Sequence, residues 1–404
     1  MKKRKLFSFA TLMAALILLS SCQNTPSPNG KLTSTHLFKS LIVKIKGGMN
    51  LILQVDIMYL VQDLAGPNGN TPDFTYALAL AQHRSIEDSR DFITIFAEAW
   101  KEISKGAPLS QVFCTVDLKG KITPETSDAD VISIIQDEAE NVISNTFNVI
   151  KNRIDCFGAT LLNIQKLGND GRILVELTGV KDPERVMKLL QRMAYLEFWD
   201  TYFYADVRDR LETINANENG MLYPSPVNRP QTNNYACIGN YHFSDTAKIN
   251  NILKKDEVKK ILKDLKPMWS VKPNKNTDLF ELVAIRMTHD GKAKLDGDDV
   301  ADASVQFENT SGSPQVSMTM TSKGASTWKR ITRDASQNKN QIAIVLDGMV
   351  YSYPTVQDEI GGGQSQITGD FTIEEAEDLA NVLKSGKFLV PVRVIWYQLL
   401  QPSL

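Results

Sequence analysis

The sequence predicts an α+β fold, and three features carry the prediction. Apolar residues switch between a 3.6-residue and a two-residue period within residues 128–202. Asn, Asp and Gly fill the short gaps between strand-like runs at 168–171 and 347–348, where positive φ is needed for a tight hairpin. Helix-opening signals stand at Asp182-Pro183-Glu184 and Thr372-Ile373-Glu374-Glu375, each followed by an apolar stripe.

From the N-terminus, Lys2, Lys3, Arg4 and Lys5 precede an apolar run at 6–19 and then Leu19-Ser20-Ser21-Cys22. The run is shorter than the roughly 20 apolar residues a spanning helix needs. Small residues directly before a thiol form a lipobox, so residues 1–22 read as a lipoprotein signal cleaved before Cys22. Cys22 is then the acylated residue, with chains on sulfur and amine giving stable anchoring. Residues 23–40 hold Pro26, Pro28 and Gly30 with little apolar content and read as a flexible tether.

The body opens with a strand at 49–56. A helical insertion at 58–127 follows, with Phe74, Leu78, Ala81, Phe92, Phe96 and Trp100 at helical spacings around a polar break at 85–90. The strongest helix spans 128–157 through Val131, Ile134, Ile135, Val142, Ile143, Phe147, Ile150 and Ile154, and Gly158 caps it. Strands at 161–167 and 172–177 form a hairpin. A helix opened by Asp182-Pro183 carries Val186, Leu189 and Leu190, and a strand at 195–202 completes a βαββαβ order. That order is the ferredoxin-like arrangement, assigned to a base subdomain at 41–205.

Asn and Pro accumulate at 203–244, which reads as a loop-rich boundary. An α+β head subdomain at 206–386, inserted into or following the base, contains a lysine-rich helix at 245–265 and a strand at 279–287. Its later part has a strand at 315–321, a helix at 322–336 with Trp328 and Ile331, and a hairpin of 341–346 and 349–353 turning at Asp347-Gly348. A helix at 374–384 ends at Gly386. A strand at 388–395, within the terminal segment 387–404, returns to the base. After Cys22 no stretch reaches membrane-spanning length without charge or proline.

Composition narrows the function classes. The chain has 404 residues, 42% hydrophobic, with 45 Lys and Arg against 47 Asp and Glu. Without residues 1–22 the balance is about −6, so no positive field exists to hold nucleic acid. Cys114, Cys156 and Cys237 are widely spaced and odd in number, which leaves room for one disulfide of open pairing and one thiol, and suits no metal. His36, His83, His242 and His289 are scattered. Asp296, Asp298, Asp299 and Asp302 lack the calcium-loop spacing and read as a solvated acidic turn. Gly361-Gly362-Gly363 lacks the Lys-Ser/Thr of a phosphate cradle and reads as a flexible loop. The expectation is a protein with no catalytic residue, cofactor or metal.

Two stretches carry a family resemblance: Asn152-Arg153-Ile154-Asp155-Cys156-Phe157-Gly158 through Gln165, and residues 172–185, reading Arg-Ile-Leu-Val-Glu-Leu-Thr-Gly-Val-Lys-Asp-Pro-Glu-Arg. They resemble SecD, whose pattern is an R-I-D helix end, an I-Q strand and V-E-L-P-G-V-x-D-P. The head resembles that of the same family through Ser322-Lys323-Gly324-Ala325, residues 342–348, Gln366-Ile367-Thr368-Gly369 and Leu383-Lys384-Ser385-Gly386. Three departures stand out. A lipoprotein signal takes the place of the first membrane helix, Lys44 replaces an acidic residue, and Thr178 replaces a proline.

The resemblance implies the first large periplasmic domain, base plus head, lipid-anchored in the cell envelope with its body in the periplasm. Inner and outer membrane both remain open. It implies SecYEG or SecDF translocase and unfolded exported polypeptide as partners. Polypeptide would bind by edge-strand pairing or in an apolar cleft of the head, around Val350, Tyr351, Tyr353, Val356 and Ile360 and the loop Gly361, Gly362 and Gly363. The same residues serve packing alone if the chain is instead an assembly lipoprotein docking on SecDF or another envelope complex, or a diverged copy without proton-driven activity.

Overall fold

The structure, a computed structural model, describes residues 48–400 apart from 89, 157–159, 169 and 309–311. The expected signal with Cys22, the tether at 23–40, Lys44 and the Gly158 cap lie outside the described residues, as does the side chain of Cys156.

Strand β1 (Gly48–Val55) buries Met49, Leu51, Leu53 and Val55 and leaves Asn50, Ile52 and Gln54 half-buried, the alternation of a sheet covered on one face. The Asp56 carboxylate then accepts the Tyr59 N–H at 3.0 Å and opens α1 (Ile57–Leu64). The insertion continues with α2 (Pro72–Arg84), α3 (Phe92–Ile103) and the short α4 (Ser110–Phe113). Phe74, Phe96, Trp100 and Phe113 lock it through ring contacts with centroids 5.0 to 6.2 Å apart. Helix α5 (Asp128–Cys156) buries Val131, Ile135, Val142, Ile143, Ile150 and Ile154 of the expected stripe and leaves Ile134 and Phe147 half-buried against the same core. Next come β2 (Thr160–Leu167), β3 (Arg172–Thr178), α6 (Pro183–Gln191) and β4 (Leu196–Asp200). The Asp182 carboxylate caps α6 by accepting the Arg185 N–H at 3.0 Å.

Residues 203–244 are not only loop. Helix α7 (Tyr204–Asn217) buries Tyr204, Val207, Leu211 and Ile214 on one face, and β5 (Cys237–Tyr241) follows. The lysine-rich segment is two helices, α8 (Phe243–Leu253) and α9 (Asp256–Leu262), broken at Lys254 and Lys255. After them run β6 (Leu265–Asn274), β7 (Leu279–Arg286), β8 (Leu295–Asp296), β9 (Val300–Phe307), β10 (Pro314–Met320), α10 (Ser322–Gln337), β11 (Ile342–Leu346), β12 (Met349–Ser352), β13 (Gln364–Ile367), α11 (Ile373–Ser385) and β14 (Val392–Leu400). Asp347 and Gly348 take φ +52° and +77° in the β11–β12 hairpin, the backbone that an Asp-Gly pair favours. Thr372 and Glu375 close a reciprocal capping box on α11 at 3.2 and 2.8 Å.

The strands form sheets ordered β14-β1-β3-β2, β13-β10-β9 and β5-β7-β6-β12-β11-β4-β8. The first has the antiparallel ferredoxin order, but its fourth strand is β14, which pairs with β1 from Gly48↔Leu400 to Val55↔Val392. The strand expected at 195–202 exists as β4, yet it pairs with β11 and β8 in the seven-stranded sheet. Burial explains the difference. β4 is buried on both faces, with Leu196 and Phe198 in one core and Trp199 in another. The outer face of the four-stranded sheet, where Ile52, Leu174 and Glu176 are only half-buried, could not cover Trp199.

One buried arginine joins the end of α5 to the ends of α6 and α11. Arg153, fully buried in the last turn of α5, donates to the Leu189 carbonyl at 2.9 Å, the Arg192 carbonyl, Ser385 Oγ at 3.2 Å and the Gly386 carbonyl at 3.2 Å. Its guanidinium also stacks 4.1 Å from the Phe388 ring centroid. The fork thereby ties together the ends of α6 and α11 and the approach to β14. Burial pulls the Arg153 pKa down to about 9, which leaves the group charged at neutral pH.

Candidate functional site

The head presents a groove beside its three-stranded sheet. Strand β10 alternates from Val316 onward. Val316, Met318 and Met320 enter the core, so Ser317 and Thr319 lie on the opposite face. Register places Ser317 between Gln366 of β13 and Ser304 of β9, and Thr319 beside Gln364. These polar side chains, with Gln306 and Thr368, line one wall. The segment 354–360 forms the other wall, and Trp328, Ile342 and Ile344 line the groove from the core side.

The groove's chemistry is neutral. Asp358 is the one charged residue in its lining; the rest are amides, hydroxyls and apolar groups. The Trp328 indole N–H is buried without an acceptor among the described residues. Such a surface offers main-chain-like donors and acceptors beside apolar side chains, with nothing to neutralise a phosphate or to coordinate a cation.

Of the residues expected to contact polypeptide, Val356 and Ile360 line this groove. The Ile360 N–H donates to Thr332 Oγ1 at 2.9 Å, which fixes the loop to α10. Gly361 is exposed, whereas Gly363 is buried with φ +70°, and its carbonyl accepts the Met320 N–H at 2.7 Å. Gly362 bridges them at φ +83°. The Gly361 to Gly363 loop is thus the shaped approach to β13 rather than a loose linker.

The other three expected contacts lie elsewhere. Val350 is 1% exposed in the core between β11 and β6. Tyr351 stacks on Phe371 with centroids 6.4 Å apart, in a charged cleft between α6 and α11. The Tyr353 hydroxyl donates to Glu281 beside β5 and β7. Because β12 alternates within a sheet covered on both faces, consecutive residues of 350–353 cannot share one surface.

The charged cleft is an ion-pair seam. Arg185 Nε donates to Asp378 at 2.9 Å, and Nη1 reaches Glu374 at 2.6 Å. The Asp378 hydrogen bond holds the Arg185 pKa above its usual value. Glu375, raised by burial, is brought below the carboxylate range by hydrogen bonds from Lys272 and the Thr372 backbone. In the acidic turn, Lys387 pairs with Asp298 at 2.6 Å and Lys384 with Asp302 at 3.1 Å. Among the described residues no group of three or more His, Cys, Asp or Glu is arranged to hold a metal ion, and no helix is long and apolar enough to cross a membrane. Cys114 and Cys237 are free thiols; burial drives the Cys237 pKa up to about 12, so it carries no thiolate at neutral pH.

Sequence reasoning found one wall of the groove and missed the other. Gln315-Val316-Ser317-Met318-Thr319-Met320 announces a polar face by its two-residue period, and so do Ala303, Val305 and Phe307 alternating with Asp302, Ser304 and Gln306 in β9, but β13, Gln-Ser-Gln-Ile, holds too few apolar residues to stand out.

The family model for the SecDF P1 head subdomain matches residues 281–390, and that for the N-terminal part of the P1 domain of protein translocase subunit SecDF matches residues 143–202. Protein translocase subunit SecD of Rhodothermus marinus is 33% identical, over 89% of this chain and 62% of its own length. SecD of Syntrophobacter fumaroxidans is 27% identical over 89% and 59%, and SecDF of Thermus thermophilus 30% over 78% and 34%. The chain therefore spans about three fifths of the length of its first two relatives. Among solved structures, SecDF described as a membrane component that enhances protein export is 30% identical, covering 63% of this chain and 92% of that one with a TM-score of 0.39. SecDF in its super-membrane-facing form is 21% identical over 96% and 34%, with a TM-score of 0.42.

Proposed function

The chain carries a P1 domain of the SecD/SecDF protein translocase family, and from that premise we propose that it is a membrane-tethered, non-catalytic module that holds exported polypeptide in the head groove and so assists translocation. Acylated Cys22 anchors the body, which stands in the periplasm within reach of the SecYEG channel. The groove carries this reading: exposed amide and hydroxyl side chains of β9, β10 and β13, with half-buried Ile360 above a floor of Trp328, Ile342 and Ile344 that is at most 3% exposed, suit an extended chain of any sequence, because main-chain hydrogen-bonding groups are what all unfolded polypeptides share. The loop from Gly361 to Gly363 sets the near edge, where β13 offers a short unpaired strand side.

The full chain in detergent, titrated against a labelled unfolded polypeptide, is expected to give a saturable anisotropy rise. Ile360→Asp, which puts a charge beside the apolar side chains, should weaken that affinity about tenfold, or about 1.4 kcal/mol. No saturable change at high micromolar protein, or equal binding by wild type and variant, would count against the groove.

A further inference from the structure

The wall of the head groove at 354–360 is fastened at three points. The Pro354 carbonyl accepts the Ile342 N–H at 3.2 Å, the Val356 N–H donates to the Asn340 carbonyl at 3.0 Å, and the Ile360 N–H donates to Thr332 Oγ1 at 2.9 Å. Gln357, Asp358 and Glu359 stand exposed between these anchors. The two acidic residues have different surroundings. Glu359 takes up Lys329 at 3.2 Å and Arg333 at 2.6 Å, both from α10. Asp358 lines the groove, and among the described residues no cation pairs with it. A carboxylate held on a fastened segment is therefore open to whatever the groove contains.

The rest of the lining cannot discriminate by charge. Amides and hydroxyls both donate and accept, so Gln306, Ser317, Thr319, Gln364 and Gln366 serve a basic or an acidic side chain alike. An ammonium or guanidinium on a bound segment meets an opposite charge only at Asp358, and an acidic side chain meets repulsion only there. We propose that Asp358 is the specificity-determining residue of the groove, favouring exported polypeptide segments that present a basic side chain and disfavouring acidic ones. The inference rests on the groove as the seat of polypeptide and adds which segments it holds best. Side chains of an extended segment alternate between its two faces, so one of any two adjacent residues turns into the groove. Two neighbouring basic residues thus reach Asp358 in either register.

The test titrates the full chain in detergent against three labelled peptides of one otherwise neutral sequence, with Lys-Lys, Gln-Gln or Glu-Glu at two adjacent central positions. Wild-type affinity is expected to fall about threefold from the lysine to the glutamine peptide and about threefold again to the glutamate peptide, the scale of an exposed charge pair. That spread should shrink as salt rises from about 0.1 to about 1 M. The Asp358→Asn protein should bind the lysine and glutamine peptides alike, and Asp358→Lys should reverse the order. Each readout is a ratio between peptides on one protein, so a general change in affinity cancels. Equal wild-type affinities would overturn the proposal. So would a spread that survives in Asp358→Asn, which would assign the preference to the net negative charge of the whole body. Both results leave the groove in place if Ile360→Asp still weakens the glutamine peptide, whereas no saturable binding of any peptide removes groove and specificity together.

Discussion

Arg153→Ala is expected to lower the unfolding free energy by about 4 kcal/mol, the largest loss of any single substitution described. Removing the guanidinium leaves the carbonyls of Leu189, Arg192 and Gly386 and the Ser385 hydroxyl without their shared donor. A buried acceptor left unpaired costs about 1–3 kcal/mol, and the void beside Phe388 adds to that loss. Arg153→Lys should recover part of the loss, because a point ammonium keeps the charge but cannot span four acceptors at the ends of two helices. Urea unfolding of the full chain in detergent, followed by circular dichroism, measures both. A change below about 1 kcal/mol for the alanine variant would contradict a pinning role.

The three glycines beside the groove should rank by substitution cost. Gly361 has open space and ordinary φ, so Gly361→Ser should change stability by no more than about 0.5 kcal/mol. Gly362→Ala meets no atom but must hold φ +83°, which costs about 1 kcal/mol. Gly363→Val combines φ +70° with a Cβ that would sit 2.6 Å from the Ala325 Cβ, so either the loop or α10 must move. Strain and overpacking together predict about 3 kcal/mol. Displacing the Gly363 carbonyl also releases the Met320 N–H, so polypeptide affinity should fall at least about tenfold. Equal stability of the three variants in urea would contradict this shaping of the loop.

The parts of this fold that were legible in the sequence are those where one local signal suffices. The α5 stripe, the Asp182 and Thr372 caps and the Asp-Gly hairpin each follow from side-chain chemistry within a few residues, and each stands where expected. What was not legible depends on long-range choice. Leu196-Glu197-Phe198-Trp199-Asp200 is strand-forming in either sheet, and only the double-sided cover around β11 decides its partner. Helix α7 hides among Asn and Asp residues, although Val207, Leu211 and Ile214 keep helical spacing. Arg153 reads in sequence as a polar residue at a helix end, and nothing local announces its complete burial. Of the expected contact residues, Val356 and Ile360 line the groove and stood out because they are apolar, while Gly361, Gly362 and Gly363 lie next to it in the chain. Ser304, Gln306, Gln364 and Gln366 did not stand out as groove residues, since a polar residue on a strand usually marks a solvated face.

Hydrogen–deuterium exchange of the full chain, with and without saturating unfolded polypeptide, addresses polypeptide holding most directly. Slowed exchange concentrated in residues 354–368, on the loop and β13, is the expected result. Unchanged exchange there under conditions where polypeptide is demonstrably bound would place the contact elsewhere and contradict the head groove as its seat.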